Sequence, residues 1–157
     1  MTVAEPAQLR AMTRGDLPDV LALEHELFPD DPWSPEMFAG ELDQPPGARM
    51  YLVASRDKRP LAGYAGMMFV PGGTQADVLT IAVHPDCWGY GIGSLLLGTL
   101  IDEARRRGCD EVFLEVRADN DRAHGLYLRR GFTEIGVRRG YYQPSGTDAI
   151  VMRKDLR

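Results

Sequence analysis

The sequence has few cysteines and no long apolar run. Its 157 residues include two cysteines, Cys87 and Cys109, which are too few for a disulfide framework. No apolar run approaches the roughly 18 residues that a membrane span requires. The first residues, MTVAEPAQLRAMT, lack the basic and apolar regions of a secretion signal. We therefore expect a cytoplasmic protein with reduced thiols and no membrane segment.

Acidic residues outnumber basic ones, so the net charge is −5 at pH 7. A general nucleic-acid binder needs a basic face to neutralise phosphates, so the charge argues against that class. The three histidines and two cysteines also lack the spacing of a metal site, and we expect no metal. An acidic segment, ALEHELFPDDPWSPEMF, is either a solvated helix face and loop or a patch that attracts a basic peptide. Its acidic residues are Glu24, Glu26, Asp30, Asp31 and Glu36.

The remaining sequence alternates between strand and helix patterns without repeats or a linker. We expect one α/β domain over residues 1–157 with a mixed sheet. Three residues suit helix ends: Asp16 and Ser34 as N-caps, and Gly108 as a C-terminal cap. Strands are predicted at 7–13, 50–55, 61–70, 76–83, 110–117, 132–142 and 148–155, and helices at 14–28, 31–42, after the glycines of residues 89–93, and at 120–131.

Three glycines stand in alternate positions, in Trp88-Gly89-Tyr90-Gly91-Ile92-Gly93, between a strand and a helix. Glycine permits positive φ and close approach of a ligand, and the free N–H groups of a helix start attract anions. The stretch is therefore either a phosphate cradle or a turn that serves only tight packing. A P-loop lysine is absent, and Leu96 stands where a dinucleotide-binding loop needs its third glycine.

This stretch resembles motif A of the GCN5-related N-acetyltransferases, [QR]-x-x-G-x-[GA]. A second segment, LEVRADNDRAHGLYLRRGF, is similar to the C-terminal block of that family. The resemblance implies a mixed, mostly antiparallel sheet of about seven strands flanked by about four helices, with acetyl-CoA as cosubstrate. It also implies three sets of cofactor contacts: the pyrophosphate on the loop Gly89, Tyr90, Gly91, Ile92, Gly93 and Ser94, the pantetheine arm on Ile81, Ala82 and Val83, and a further contact at Asn120, which also suits a helix N-cap.

The sequence departs from motif A at two positions. Trp88 replaces the usual Gln or Arg, and Tyr90 stands where Arg is common. Backbone cradling needs no side chain, but any charge-assisted phosphate contact from these positions is lost. We expect cofactor binding with reduced salt sensitivity, and the aromatic rings to cover either the adenine or the apolar flank of the loop.

Several segments, among them FPDDPWSPEMF and VRRGYYQPSGTDAIVM, resemble the ribosomal-protein alanine N-acetyltransferases of the RimI type. This resemblance implies a protein N-terminus as acceptor, namely the N-terminal alanine of the eighteenth small-subunit ribosomal protein. The acidic segment favours basic residues behind that alanine. The resemblance also implies that Trp33, Tyr141 and Tyr142 line the peptide site, although each would be equally ordinary as a core or rim aromatic. The competing functions are acetylation of lysine or a small amine, and a non-catalytic acyl-CoA-binding module.

Amine acetylation needs a base for the amine proton and an acid for the departing thiolate. Glu115 is the candidate base, because it alternates with Val112, Leu114 and Val116 on a strand whose two faces we expect to be covered. The alternative is a salt bridge to Arg117 or to another strand. Tyr127 is the candidate acid, and its alternative is a half-buried core tyrosine. The RimI-type resemblance places proton acceptor and donor at these two residues.

Two weaker candidates complete the prediction. Cys87 could act as an acyl-transfer nucleophile with His84 nearby, which would give a ping-pong enzyme. His124 lies three residues before Tyr127 and could relay a proton along the same helix face. Both alternatives rest on proximity in sequence alone.

Overall fold

The computed structural model describes residues 6–157 and contains the expected seven strands and four helices. The first five residues of the segment considered for a secretion signal lie outside the described residues. Two short 3₁₀ turns, Arg14–Asp16 and Pro85–Cys87, precede the first helix and follow the fourth strand. No helix in the described part of the chain is both long enough and apolar enough to cross a membrane. The elements are β1 (Gln8–Ala11), α1 (Leu17–Leu27), α2 (Pro35–Leu42), β2 (Arg49–Arg56), β3 (Arg59–Phe69), β4 (Gln75–Val83), α3 (Ile92–Arg106), β5 (Glu111–Arg117), α4 (Asp121–Arg129), β6 (Thr133–Arg138) and β7 (Ala149–Asp155).

All seven strands form one sheet in the order β1-β2-β3-β4-β5-β7-β6. Within residues 6–157, β4 and β5 are the one parallel pair, and the other neighbours are antiparallel. The parallel pair needs a crossover, which α3 supplies. The expectation of a mixed, mostly antiparallel sheet with four helices is confirmed.

The sheet carries a separate hydrophobic core on each face. On β2, Leu52 and Ala54 belong to one core, whereas Tyr51 and Val53 belong to the other, because alternate strand residues point to opposite faces. The first core includes the apolar face of α3 and side chains of β5 and α4. The second core includes Val20 and Leu23 of α1 and Phe38 of α2. Helices therefore cover both faces of the sheet.

Most predicted helix ends are confirmed. The Ser34 hydroxyl accepts the Met37 N–H at 3.1 Å, and Gly108 has the positive φ, 82°, of a residue that ends a helix. Asp16 occupies the N-cap position of α1, as predicted, but its side chain makes no capping hydrogen bond to that helix. Its carboxylate accepts the Thr13 N–H at 2.8 Å and pairs with Arg10, whose hydrogen bond lowers the pKa of Asp16 to about 2.

Candidate active site

The site begins where the parallel strands β4 and β5 stop pairing. Their ladder extends from Gln75 opposite Glu111 to Val78 opposite Leu114. Beyond that point β4 continues to Val83 and β5 to Arg117 without further pairing between them. Because β4 remains bonded to β3 on its other side, one edge of its backbone faces the gap. Two adjoining cavities lie at this gap.

The larger cavity has a volume of about 550 Å³. Its walls come from the end of β4, the glycine loop, the first turn of α3 and one face of α4. Nine of the ten residues expected to contact the cofactor line it: Ile81, Ala82, Val83, Gly89, Gly91, Ile92, Gly93, Ser94 and Asn120. The tenth, Tyr90, does not line it. The Tyr90 ring is exposed and lies under Arg56, whose Cζ is 3.5 Å from the ring centroid.

The glycine loop has the backbone conformation of an anion cradle. Gly89 has φ 88° and Gly91 has φ 78°, values that favour glycine, and Gly91 is the N-cap of α3. Among the described residues no side chain caps this helix start, which leaves its first N–H groups without a side-chain partner. Gly93 also serves packing, since a Cβ there would lie 3.2 Å from Leu126 Cδ2. The packing role that the sequence left open is therefore present at Gly93, and the backbone of the loop also has the conformation that a phosphate cradle requires.

The Trp88 ring is held beside the glycine loop and lines the larger cavity. Its indole N–H donates to the Val83 carbonyl at 2.8 Å, which fixes the ring at the end of β4. Arg122 of α4 lies over the ring, with its Cζ 3.7 Å from the ring centroid. Sequence reasoning missed Arg122. Helical spacing could have identified it, because Arg122, Leu126 and Arg129 lie on one face of α4 and line the same cavity.

The smaller cavity, about 90 Å³, adjoins the larger one and contains the candidate catalytic pair. Glu115 of β5 and Tyr127 of α4 both line it, together with Trp33 and Tyr142. Tyr141 is not in the wall; its exposed ring packs on Tyr142 at 5.1 Å between centroids. The two cavities share five lining residues, Phe28, Ile81, Arg117, Asn120 and Ala123.

Glu115 is half-buried, with 28% of its side chain exposed. Burial raises the pKa of its carboxyl, an effect that Arg138 opposes and the charge of Asp77 increases. The ion pair that the sequence left open as an alternative exists, but its partner is Arg138 of β6 at 3.3 Å rather than Arg117. A carboxylate with a raised pKa that borders a cavity is a suitable proton acceptor.

Tyr127 is 5% exposed, more buried than a half-buried core tyrosine. Burial, and then the neighbouring Tyr142, raise the pKa of its phenol, so the hydroxyl stays protonated at neutral pH. Its ring packs edge-on against Phe132, with centroids 5.8 Å apart. Among residues 6–157 no hydrogen-bond partner holds the hydroxyl, which leaves it available to a ligand in the cavity.

A buried ion-pair cluster joins two loops beside the smaller cavity. The Asp31 side chain is 3% exposed and pairs with Arg117. Asp31 also accepts the Ser145 N–H at 2.9 Å and the Ser145 hydroxyl at 2.5 Å. Burial raises the pKa of Asp31, but the hydrogen bonds from Ser145 and Arg117 outweigh it and lower the pKa to about 2. The cluster ties the α1–α2 connection to the β6–β7 connection.

Glu24 is also internal, being 2% exposed. Its carboxylate accepts the Tyr64 hydroxyl at 2.5 Å and the Trp33 N–H at 2.9 Å. Two of the five acidic residues of the segment, Glu24 and Asp31, are therefore neither solvated nor free to attract a basic peptide. The other three, Glu26, Asp30 and Glu36, are exposed.

Comparison with known proteins decides the family. The profile of the acetyltransferase (GNAT) family matches residues 17–132. The chain belongs to this family. The expectation of an N-acetyltransferase is confirmed, and both cavities of this GNAT chain are formed largely by the matched residues.

Individual relatives show which members of the family this chain is similar to. The chain is 44% identical over 155 residues to the N-alpha-acetyltransferase RimI of Mycobacterium tuberculosis, with 96% of this chain and 94% of the relative covered. It is 37% identical over 123 residues to the [ribosomal protein bS18]-alanine N-acetyltransferase of Escherichia coli, with 77% and 79% covered. The crystal structure of the Escherichia coli ribosomal-protein-S18-alanine N-acetyltransferase is similar, with TM-score 0.80, 32% identity and coverage of 96% and 94%.

Of the remaining sequence candidates, Cys87 is a buried free cysteine that lines the larger cavity, whereas the two histidines have other contacts. The imidazole Nδ1 of His84 accepts the Asp86 N–H at 3.1 Å, so it is occupied by the turn beside Cys87. His124 pairs with Glu134 at 2.6 Å and lines neither cavity. No group of three metal-ligating side chains occurs in the part of the chain that the structure describes.

Proposed function

We propose that this chain transfers the acetyl group of acetyl-CoA to the α-amino group of a protein N-terminus, with the alanine of ribosomal protein bS18 as acceptor. The observation that carries the proposal is the gap between β4 and β5, which joins the glycine loop to a chamber containing Glu115 and Tyr127. The named activities of the two relatives support the choice of acceptor. Residues 1–157 would act as one acetyltransferase domain in the cytoplasm.

The larger cavity suits the donor. The first N–H groups of α3 would bind the pyrophosphate, and the unpaired edge of β4 at residues 81–83 would bind the amide groups of the pantetheine arm. Asn120 would contact the same arm while its side chain caps α4, since its Oδ1 accepts the Ala123 N–H at 3.2 Å. The donor thioester would then lie near the junction of the cavities.

An α-amine suits the reaction better than a lysine side chain, because its ammonium form loses a proton at lower pH. An α-ammonium has a pKa of about 7.7–8.0, against about 10.4 for a lysine side chain. A far larger fraction of an N-terminus is therefore neutral at pH 7. The aromatic walls formed by Trp33 and Tyr142 would border the first residues of the peptide. The exposed acidic residues Glu26, Asp30 and Glu36 favour a basic segment behind the alanine.

The reaction is a direct transfer. The amine nitrogen attacks the thioester carbonyl carbon, forming the N–C bond, and the C–S bond then breaks. Glu115 accepts the proton that the nitrogen loses, either directly or through a water molecule. Tyr127 donates its phenolic proton to the departing sulfur, and its raised pKa keeps that proton in place until then.

Two variants test these roles. Glu115→Gln and Tyr127→Phe should each lower kcat by about 10²–10⁴-fold while leaving the Kd of acetyl-CoA unchanged. Glu111→Gln is the matched control for the first, because Glu111 is also on β5, is 29% exposed and pairs with an arginine, Arg153. Unchanged turnover in Glu115→Gln would contradict its role as the base.

A peptide assay tests the acceptor. The enzyme receives acetyl-CoA and a synthetic Ala-Arg peptide that contains one internal lysine, either with a free or with a blocked N-terminus. Intact-mass detection should show one acetyl group on the free peptide and none on the blocked one. Acetylation of both peptides would assign a lysine acceptor instead, and acetylation of neither would contradict a protein acceptor.

A further inference from the structure

The α4 wall of the larger cavity carries two arginines that have no counter-ion among residues 6–157. Arg122 and Arg129 of α4 both line this cavity. In the part of the chain that the structure describes, neither guanidinium lies within 4.0 Å of a carboxylate. By contrast, Arg117 in the same wall is neutralised by Asp31 and Asp119. Two unpaired cations thus face a cavity in a protein of net charge −5.

Arg122 is held in place by an aromatic platform. Its Cζ lies 3.7 Å from the centroid of the Trp88 ring, well within the range of a cation–π interaction. The ring itself is anchored by its hydrogen bond to the Val83 carbonyl. Trp88 contributes no charge of its own to the loop, but it positions a cation from another element at the same place.

We infer that Arg122, positioned by Trp88, binds a phosphate group of the CoA donor. The inference rests on the proposed donor. A guanidinium presents several N–H donors to phosphate oxygens, and such charge-assisted hydrogen bonds are about twice as strong as neutral ones. Arg122 supplies the charge that the loop lost at Trp88 and Tyr90. Donor binding is therefore salt-sensitive, contrary to the expectation from the loop sequence alone.

The donor contains two kinds of phosphate group that Arg122 would bind, the pyrophosphate or the 3′-phosphate of the ribose. Calorimetric titration with acetyl-CoA and with acetyl-dephospho-CoA, which lacks the 3′-phosphate, separates them. Arg122→Met should raise the Kd of acetyl-CoA by about tenfold or more and flatten its dependence on salt. Loss of this effect with acetyl-dephospho-CoA assigns the 3′-phosphate, whereas an equal effect with both donors assigns the pyrophosphate.

The matched control is Arg105→Met, since Arg105 is an exposed arginine of α3 that lines neither cavity. It should bind both donors as the unchanged protein does. If Arg122→Met also binds both donors unchanged, the inference is overturned. Failure of the unchanged protein to bind either donor would instead overturn the proposed donor, and this inference with it.

A double-mutant cycle tests the platform. Trp88→Leu should weaken binding of acetyl-CoA, but it should have little additional effect in the Arg122→Met background, because both changes remove one contact. Fully additive effects would contradict the positioning role of Trp88. Circular dichroism of each variant establishes that the fold is retained.

Discussion

At the residue scale, the carboxyl group of Glu115 is subject to opposing influences. Burial and Asp77 favour its neutral form, whereas Arg138, 3.3 Å away, favours its charged form. The pKa of a base determines the pH below which it is protonated and inactive. In the proposed mechanism Arg138 would thus set the pH range of the reaction, although it lines neither cavity.

Arg138→Leu should shift the acidic limb of the kcat/KM profile to higher pH. Removal of the cation leaves burial and Asp77 unopposed, so the pKa of Glu115 rises and the base becomes protonated at a higher pH. The rate on the plateau above that limb should be unchanged. The measurement is a pH–rate profile at saturating acetyl-CoA and low peptide concentration.

The neighbouring Arg139 provides the control, because 88% of its side chain is exposed and its nearest carboxylate is Asp148 at 3.9 Å. Arg139→Leu should leave the limb in place. An Arg138→Leu profile with an unshifted or lowered acidic limb would contradict the electrostatic role of Arg138 and weaken the assignment of Glu115 as base.

The sequence was sufficient to single out Glu115 but not its partner. Alternation along β5 puts Leu114 on one face of the sheet and Glu115 on the other, so the sequence indicates a carboxylate within a largely apolar strand. Its partner Arg138 belongs to β6, which comes near β5 only because β7 lies between the two strands and pairs with both. Local sequence patterns do not indicate the order of the strands in the sheet.

At the element scale, Glu24 connects α1 to β3 and to the segment just before α2. From α1 it accepts hydrogen bonds from Tyr64 of β3 and from the backbone of Trp33, just before α2. In the sequence it is one carboxylate in an acidic, amphipathic helix, and its neighbour Glu26 is indeed exposed. Only the packing of α1 on β3 distinguishes the two, which is why the sequence could not identify Glu24 as buried.

Glu24→Ala should destabilise the fold, while Glu24→Gln should be tolerated. Alanine leaves the Tyr64 hydroxyl and the Trp33 N–H unsatisfied, at a cost of roughly 1–3 kcal/mol each. Glutamine can accept the Trp33 N–H and donate to the Tyr64 oxygen. Urea unfolding at constant pH measures both free energies of unfolding. Equal stability of the alanine variant and the unchanged protein would contradict this prediction.

The pKa of Glu24 determines how the stability of the same variants depends on pH. Burial raises the pKa of Glu24 above its usual 4.5 despite the hydrogen bonds from Tyr64 and Trp33. A carboxyl whose pKa is raised in the folded state stabilises the fold below its unfolded pKa, and that contribution is lost as pH rises through the folded value. The stability of Glu24→Gln should lack this decline, measured by urea unfolding between pH 4 and pH 8.

At the scale of the whole molecule, the two cores would support different halves of the proposed reaction. The core that contains α3 and α4 lies beside the glycine loop, where the donor would bind, whereas the core that contains α1 and α2 includes Trp33, which would border the acceptor. The halves meet where β4 and β5 separate. Periodicity predicted the strands on either side of this gap, but the point at which their pairing stops is a property of the assembled sheet that local patterns do not indicate.

Hydrogen exchange should locate the donor in this gap. Beyond Val78, the backbone of β4 has an edge without a strand partner, so bound acetyl-CoA should slow amide exchange in residues 79–83 and in the first turn of α3. Strand β6, whose residues are all exposed and which lines neither cavity, serves as the internal control. Mass spectrometry of peptides from the free and donor-saturated protein measures the difference. Protection spread evenly over β4 and β6, or absent from residues 79–83, would contradict donor binding along the open edge of β4.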